Sequence, residues 1–181
     1  MNTVYFVRHA TPDFSVHDDA TRPLTAQGIS DCVQVTDYFK DKKVSTIYSS
    51  PYERVVHTIS DIAMFHNLSI NVVEDFRERK VSFEWIEDFA DFTKKQWNDF
   101  SYKLEGGECL NEVQIRNIEA LHQVLGAHHN EVIVIGTHGT ACTTMLNYYD
   151  KSVVSVNPKM PFIVKAVFDK TALISHEMIA L

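Results

Sequence analysis

Three short runs of strand-like residues each lead into a segment that carries basic or imidazole side chains. Arg8-His9 follows Thr3 to Val7, Ser49-Ser50 closes Ser45 to Ser49 and leads to Arg54, and His138-Gly139 follows Val132 to Ile135. If the runs are strands of an open α/β sheet, all three sets lie at carboxyl ends, where such sheets bind ligands. A phosphoryl group asks for positive charge around its equatorial oxygens, for donors from helix amino termini and for an in-line nucleophile. Two arginines, two histidines and a helix start could supply all of these. Arginine suits the task because its planar fork pairs two phosphate oxygens and stays charged. A neutral imidazole can attack phosphorus when a hydrogen bond to its other ring nitrogen fixes the tautomer, and the attack is assigned to His9. The leaving oxygen of a phosphate ester needs a proton. Glu78, just past a third apolar run, is the best-placed carboxyl group to give it and then to activate water, although Glu74 and Asp75 follow the same run. Singly, an Arg-His or His-Gly pair is weak evidence; the joint placement carries the reading.

The elements that must position these residues follow from the pattern. Thr3 to Val7 predicts a buried strand, and the polar stretch with Pro12 and Pro23 a loop. Thr25 is a good N-cap, and Leu24 and Ile29 are spaced as a hydrophobic staple. A helix should run from there to about Lys42 with Ile29, Val33, Thr36 and Phe39 on one face. Ser45 to Ser49 predicts a second strand. Ser50-Pro51-Tyr52-Glu53 combines a Ser-x-x-Glu capping box with proline at the first helical position, predicting a helix from about Pro51 with Val55, Ile59, Ile62, Ala63 and His66 facing inward. Ile70 to Val73 predicts a third strand.

Residues 79–107 mix Phe83, Trp85, Phe89, Phe92, Trp97, Phe100 and Tyr102 with carboxylates, and read as an inserted helical cap whose aromatics build a small core. A helix from about Glu108 places Leu110, Val113, Ile118, Leu121 and Leu125 on one side, and Val132 to Ile135 forms the next strand. A helix from about Thr140 to Tyr149 follows, then a loop with Pro158 and Pro161. The strands Ile163 to Phe168 and Leu173 to Met178 form a hairpin at Asp169-Lys170-Thr171, so at least one strand should be antiparallel. The alternation predicts an α/β fold, a mostly parallel sheet with helices on both faces, in a single domain over 1–181 that carries the cap at about 79–107.

A chain of 181 residues, 45% hydrophobic and 23% charged, is large enough for one full core. A net charge of -7 argues against a broad electropositive face and therefore against nucleic acid as partner, so any anion must be bound locally. No apolar run is long enough for a membrane span, and Arg8-His9 interrupts Val4 to Val7 too early for a signal peptide. The protein is expected to be soluble and cytoplasmic. Cys32, Cys109 and Cys142 lack the spacing of a zinc or redox motif and read as reduced core thiols.

Val7-Arg8-His9-Ala10, Leu24-Thr25-Ala26-Gln27-Gly28, Ser49-Ser50-Pro51-Tyr52-Glu53-Arg54, Phe76-Arg77-Glu78-Arg79 and Thr137-His138-Gly139 together resemble the histidine phosphatase superfamily, also called phosphoglycerate mutase-like, across nearly the whole chain. The resemblance implies that His9 is phosphorylated, that Arg8, Arg54 and His138 hold the phosphoryl group, and that Glu78 donates the proton. No metal or other cofactor is implied. The chain departs from the pattern at Ala10, where glycine is usual, at His57, where glutamine is frequent, and at Cys109, where serine is common; an asparagine often found in the first loop is absent. The four-residue phosphate pocket is unaffected by these changes.

Outside that pocket the first loop, with His17 and Arg22, and the cap are the candidates to contact whatever carries the phosphate. The cap's carboxylates favour a small phosphorylated metabolite or a phosphorylated side chain over a polyanion. His57 is expected to pack, Arg116 to make a structural ion pair, and His128-His129 to be a solvated pair at a helix end, while His66, His122 and His176 have no partner readable from the sequence. The expected activity is metal-independent hydrolysis of a phosphomonoester through phosphohistidine. The rivals are a phosphoglycerate mutase, for which the cap is short, and a noncatalytic phosphoprotein-binding module.

Overall fold

In the first strand, β1 (Asn2–Arg8), Val4 and Phe6 point to one face and Tyr5 and Val7 to the other, and all four are buried. A strand buried on both faces belongs in the middle of a covered sheet. The computed structural model describes residues 1–154 and 159–181, so Pro158 of the expected loop lies outside the described residues. The remaining strands are β2 (Thr46–Ser49), β3 (Ile70–Val72), β4 (Val132–Thr137), β5 (Phe162–Asp169) and β6 (Ala172–Ile179), in the order β3-β2-β4-β1-β5-β6. The first four are mutually parallel, and the hairpin of β5 and β6 adds antiparallel strands at one edge.

The helices are α1 (Ala26–Phe39), α2 (Glu53–His66), α3 (Phe89–Asn98), α4 (Leu110–Ala127) and α5 (Gly139–Tyr149). Val4, Phe6, Ile133 and Ile135 pack against Leu121 and Leu125 of α4 and Met145 of α5. On the opposite face Tyr5, Val7, Ile47 and Val134 meet Val35 and Phe39 of α1 and Ile59 and Ile62 of α2. Gly136, in the central strand, lets α2 lie close: a Cβ there would come within 2.7 Å of Val55 Cγ1 and 2.9 Å of Ile59 Cδ1. All three cysteines are free thiols and buried.

Several local expectations are corrected. Thr25 caps α1 through its hydroxyl on Gly28 N, but Ile29 and Val33 are exposed and the buried face is Gly28, Cys32, Val35, Thr36 and Phe39. The cause is a backbone contact: a Cβ at Gly28 would lie 2.3 Å from Thr11 O, so the helix seats on the loop after β1 through its glycine. The Ser50 capping box does not form. α2 begins at Glu53 with Tyr52 as N-cap and no side-chain cap bond.

Among the histidines, His66 donates from Nε2 to Phe39 O at 3.0 Å, His122 pairs with the Tyr149 hydroxyl, and His176 pairs with Asp150. His128 is half-buried between Tyr48 and Glu131 instead of solvated; His129 is exposed. His57 does not pack but stands exposed in a shallow cleft with Pro23, Pro51 and Val56.

The cap region contains one helix, α3, capped by Asp88 on Asp91 N. Its interior is built on the buried Arg79, whose guanidinium lies 5.1 Å from the Phe89 and Phe92 ring centres and donates to Gln96 Oε1 and Thr93 Oγ1. Phe83, Trp85 and Phe89 are more than half exposed, so the expected aromatic core is only partly formed.

Candidate active site

The register of three parallel strands brings the chemistry together. Arg8 pairs with Thr137 across β1 and β4, and Ser49 pairs with Gly136 across β2 and β4. The next residue on each strand, His9, Ser50 and His138, therefore leaves the sheet at the same edge. The ladder extends one step further, with His9 N donating to Thr137 O at 3.2 Å and Ser50 N to Gly136 O at 3.0 Å.

His9 and His138 stand edge to face, 5.3 Å between ring centres, and both are almost fully buried. His9 Nδ1 lies 2.8 Å from Ala10 O. A carbonyl only accepts, so Nδ1 carries the proton and Nε2 keeps its lone pair. Burial is the main reason the His9 imidazole is held well below its usual pKa; the Arg54, Arg8 and Arg22 charges add to this and the bond to Ala10 O opposes it. His138 is depressed as well, first by burial and then by Arg54 and His9. Both rings are neutral over the physiological range.

Around His138, Arg54 Nη2 approaches Nδ1 at 3.3 Å and the Ser50 hydroxyl meets Nε2 at 2.7 Å. Guanidinium only donates, so Nδ1 accepts and Nε2–H donates to Ser50. Ser50 Oγ also accepts from Tyr52 N at 3.3 Å. Its hydroxyl, expected from the local motif to cap a helix, is the partner of the second histidine. Arg54 is buried beside the Tyr52 ring, with 5.0 Å from its guanidinium carbon to the ring centre, and its Nε has no hydrogen-bond partner among the described residues. Arg8 donates from Nη1 to Lys159 O at 3.2 Å and lies 5.5 Å from the Phe162 ring centre. Burial lowers the pKa of both arginines, with Glu78 opposing this at both and Asp19 at Arg54. A buried guanidinium such as Arg54, and to a lesser degree the half-buried Arg8, is costly to keep charged unless an anion faces it.

Glu78 is brought to the same edge by the turn of 3-10 helix at Glu74–Phe76 that follows β3. Its carboxylate accepts from Arg79 N at 2.9 Å, Thr140 N at 3.0 Å and Ala141 N at 3.1 Å. Two amides in the first turn of α5, Thr140 N and Ala141 N, are thus engaged by Glu78. At the start of α2, Tyr52 N is engaged by Ser50 Oγ and Glu53 N by Ala20 O. An incoming phosphoryl group would therefore find Thr140 N, Ala141 N and Glu53 N already engaged. Ala10, which replaces the usual glycine, is fully buried, donates its N–H to Thr58 Oγ1 at 3.0 Å and has no positive φ.

The residue most clearly missed from the sequence is Asp19, whose Oδ1 accepts from Arg22 Nη1 at 2.9 Å and Arg54 Nη2 at 3.0 Å. Arg22 is buried, with further bonds to Val16 O at 2.7 Å and His17 O at 3.3 Å, so it ties the first loop together. His17 is exposed and stacks on Trp85, with ring centres 4.2 Å apart and planes 10° apart, linking that loop to the cap.

The model of the histidine phosphatase superfamily, branch 1, matches residues 4–160. The chain belongs to this superfamily. Among curated proteins, the chain resembles the uncharacterized phosphatase PhoE of Bacillus subtilis (strain 168), 27% identical over 150 residues that cover 81% of this chain and 76% of PhoE. Its fold is shared with a phosphoserine phosphatase from Entamoeba histolytica solved with phosphoserine, at TM-score 0.79, 18% identity and coverage of 97% and 96%. It is shared equally with a phosphoglycerate mutase from Bacillus anthracis, at TM-score 0.79, 14% identity and coverage of 98% and 92%. The chain is therefore an enzyme of a superfamily whose members include phosphatases and mutases. Among the described residues, no helix is long and apolar enough to cross a membrane.

Proposed function

We propose that this member of the histidine phosphatase superfamily hydrolyses a small phosphomonoester through a phosphohistidine on His9. The observation that carries the reading is the His9 imidazole itself: neutral and buried, with Nδ1–H fixed on Ala10 O, it leaves Nε2 as nucleophile beside two guanidinium groups. In the first step Nε2 bonds to phosphorus as the P–O ester bond breaks, and Glu78 gives its proton to the departing alkoxide. Arg8 and Arg54 balance the charge on the equatorial oxygens. His138 holds Arg54 through Nδ1, and exchange of the Ser50 hydroxyl for a phosphoryl oxygen would let its Nε2–H donate to the substrate. In the second step water attacks phosphorus, Glu78 takes the water's proton, and His9 returns with inorganic phosphate. No step calls for a metal or another cofactor.

His17 and Arg22 act on the substrate indirectly in this reading, by setting the shape of the first loop and its contact with the cap. The carboxylates of the cap favour a small phosphorylated metabolite or side chain over a polyanion. Transfer to water rather than to a second hydroxyl rests on the slight cap, which has one helix of 10 residues.

The decisive experiment incubates wild-type and His9→Ala protein with phosphomonoesters and traps the intermediate. An acid-labile, alkali-stable phosphoenzyme and phosphate release, both lost in His9→Ala and unaffected by excess chelator, are expected. A folded wild-type protein showing neither would sink the reading in favour of a noncatalytic phosphoprotein-binding module. Conversion of 3-phosphoglycerate to its 2-isomer faster than phosphate release would make the protein a mutase.

A further inference from the structure

We propose that Arg116 and Glu108 form a clamp that positions Glu78 for proton transfer, an inference that rests on the proton-donor role of Glu78 in the preceding reading. Glu78 follows the 3-10 turn on an extended stretch of backbone, outside any strand, so its neighbouring carbonyls have no ladder partners. Arg116, from the second turn of α4, takes three of them: Nη1 donates to Asp75 O and Arg77 O, both at 2.8 Å, and Nη2 donates to Glu78 O at 3.2 Å. Its remaining donors form a bidentate pair with Glu108, Nε to Oε1 at 2.8 Å and Nη2 to Oε2 at 2.9 Å. With all five N–H groups of the guanidinium engaged, Arg116 has none left for a phosphate.

Glu108 extends the grip to the far side of Glu78. Its Oε2 accepts from Lys80 N at 2.9 Å and its Oε1 from Arg77 Nη2 at 2.9 Å. Half-burial would raise the Glu108 pKa, but the bonds from Arg116 and Lys80 N outweigh it and hold the carboxyl below its usual range. One Arg-Glu pair therefore fixes the main chain from Asp75 to Lys80, while the amino terminus of α5 fixes the Glu78 carboxylate. The two anchors together decide where the acid stands relative to His9. Arg116→Lys would keep the charge but lose the planar fork that reaches three carbonyls and a carboxylate at once.

A positioning role leaves a signature that loss of folding does not. Protonation of the leaving group matters for an alkyl phosphate and little for an aryl phosphate whose phenolate leaves unaided, and kcat/KM reports the steps through the first P–O cleavage. For Arg116→Lys, Arg116→Met and Glu108→Gln, kcat/KM for phosphoserine should fall about 10- to 100-fold, part of what a general acid contributes. That for p-nitrophenyl phosphate should fall less than about 3-fold. Glu78→Gln should show the same contrast, and Arg116→Lys combined with it should lose little more, since residues acting as one unit are not additive. Equal losses on both substrates, additive losses in the double variant, or no loss at all would overturn the clamp. Should Arg116→Met fail to fold, Arg116→Lys and Glu108→Gln carry the same test. Wild-type protein inert on both substrates would overturn the phosphatase reading instead, and the clamp with it.

Discussion

The Asp19 carboxylate rests on the Arg54 guanidinium, Oδ1 to Nη2 at 3.0 Å, while the Asp19 carbonyl accepts from Nη1 of the same side chain. Two of the Arg54 donors are thus engaged by the first loop, and Nη2 also meets His138 Nδ1. A phosphate must compete with a carboxylate for them and tolerate its charge nearby. Asp19→Asn removes the charge and keeps the shape. Inorganic phosphate, measured as a competitive inhibitor, should then bind about 3- to 10-fold tighter, the scale of one partly exposed ion pair. Unchanged or weaker inhibition would show that Asp19 helps the pocket by orienting Arg54 more than it hinders by competing.

Burial of two neutral imidazoles makes stability depend on pH. In the folded state His9 and His138 titrate well below their usual value, whereas in the unfolded chain they take up protons near pH 6.5. Below that pH the unfolded state binds more protons, so stability falls as pH drops and is fully present above it. The slope approaches about 1.4 kcal/mol per pH unit for each histidine. Urea denaturation at pH 7.5 and 5.5, without phosphate, should show a loss that shrinks in His9→Ala. A pH-independent wild type would mean that folding does not lower the two pKa values, and stability that rises toward pH 5.5 would mean that the rings are protonated when folded.

Ser50 offers a comparison between a local motif and a long-range contact. If the capping box stabilised α2, Ser50→Ala and Glu53→Ala would cost similar amounts. In the fold, Ser50 Oγ meets His138 Nε2 at 2.7 Å and Glu53 is exposed. Ser50→Ala strands a buried N–H and should cost about 1–3 kcal/mol. Glu53→Ala loses only a charge near a helix start, under about 1 kcal/mol. Equal losses in urea melts would restore the capping role.

The same residue shows where the sequence is legible and where it is not. Buried parallel strands are apolar runs ending abruptly in polar residues, so the pattern alone places Arg8-His9 and His138-Gly139 at strand ends, and the register of β1 against β4 brings them side by side. Ser50 escapes this logic because Ser-x-x-Glu is satisfied by four consecutive residues, whereas its actual partner lies 88 residues away. Asp19 sits in a polar loop where carboxylates are ordinary, and nothing local announces that two arginines converge on it. The α1 face differs from expectation for a packing reason: helical spacing allows Ile29 and Val33 inward, but the contact of Gly28 with Thr11 turns that side out.

Arg54 is where charge and shape can be separated. Its Nη groups hold Asp19 and His138 Nδ1, its guanidinium lies against Tyr52, and its buried Nε has no partner among the described residues. Lysine would keep the positive charge that depresses the His9 and His138 pKa values, but it has no second branch with which to hold His138 and a phosphoryl oxygen together. Arg54→Lys should lower kcat/KM about 10²- to 10³-fold, comparable to removal of a transition-state donor. Both imidazoles should stay neutral, because burial, the main cause, and the cation both remain. Near wild-type turnover in Arg54→Lys would mean that charge alone suffices, and that the fork is not what aligns the phosphoryl group with His9.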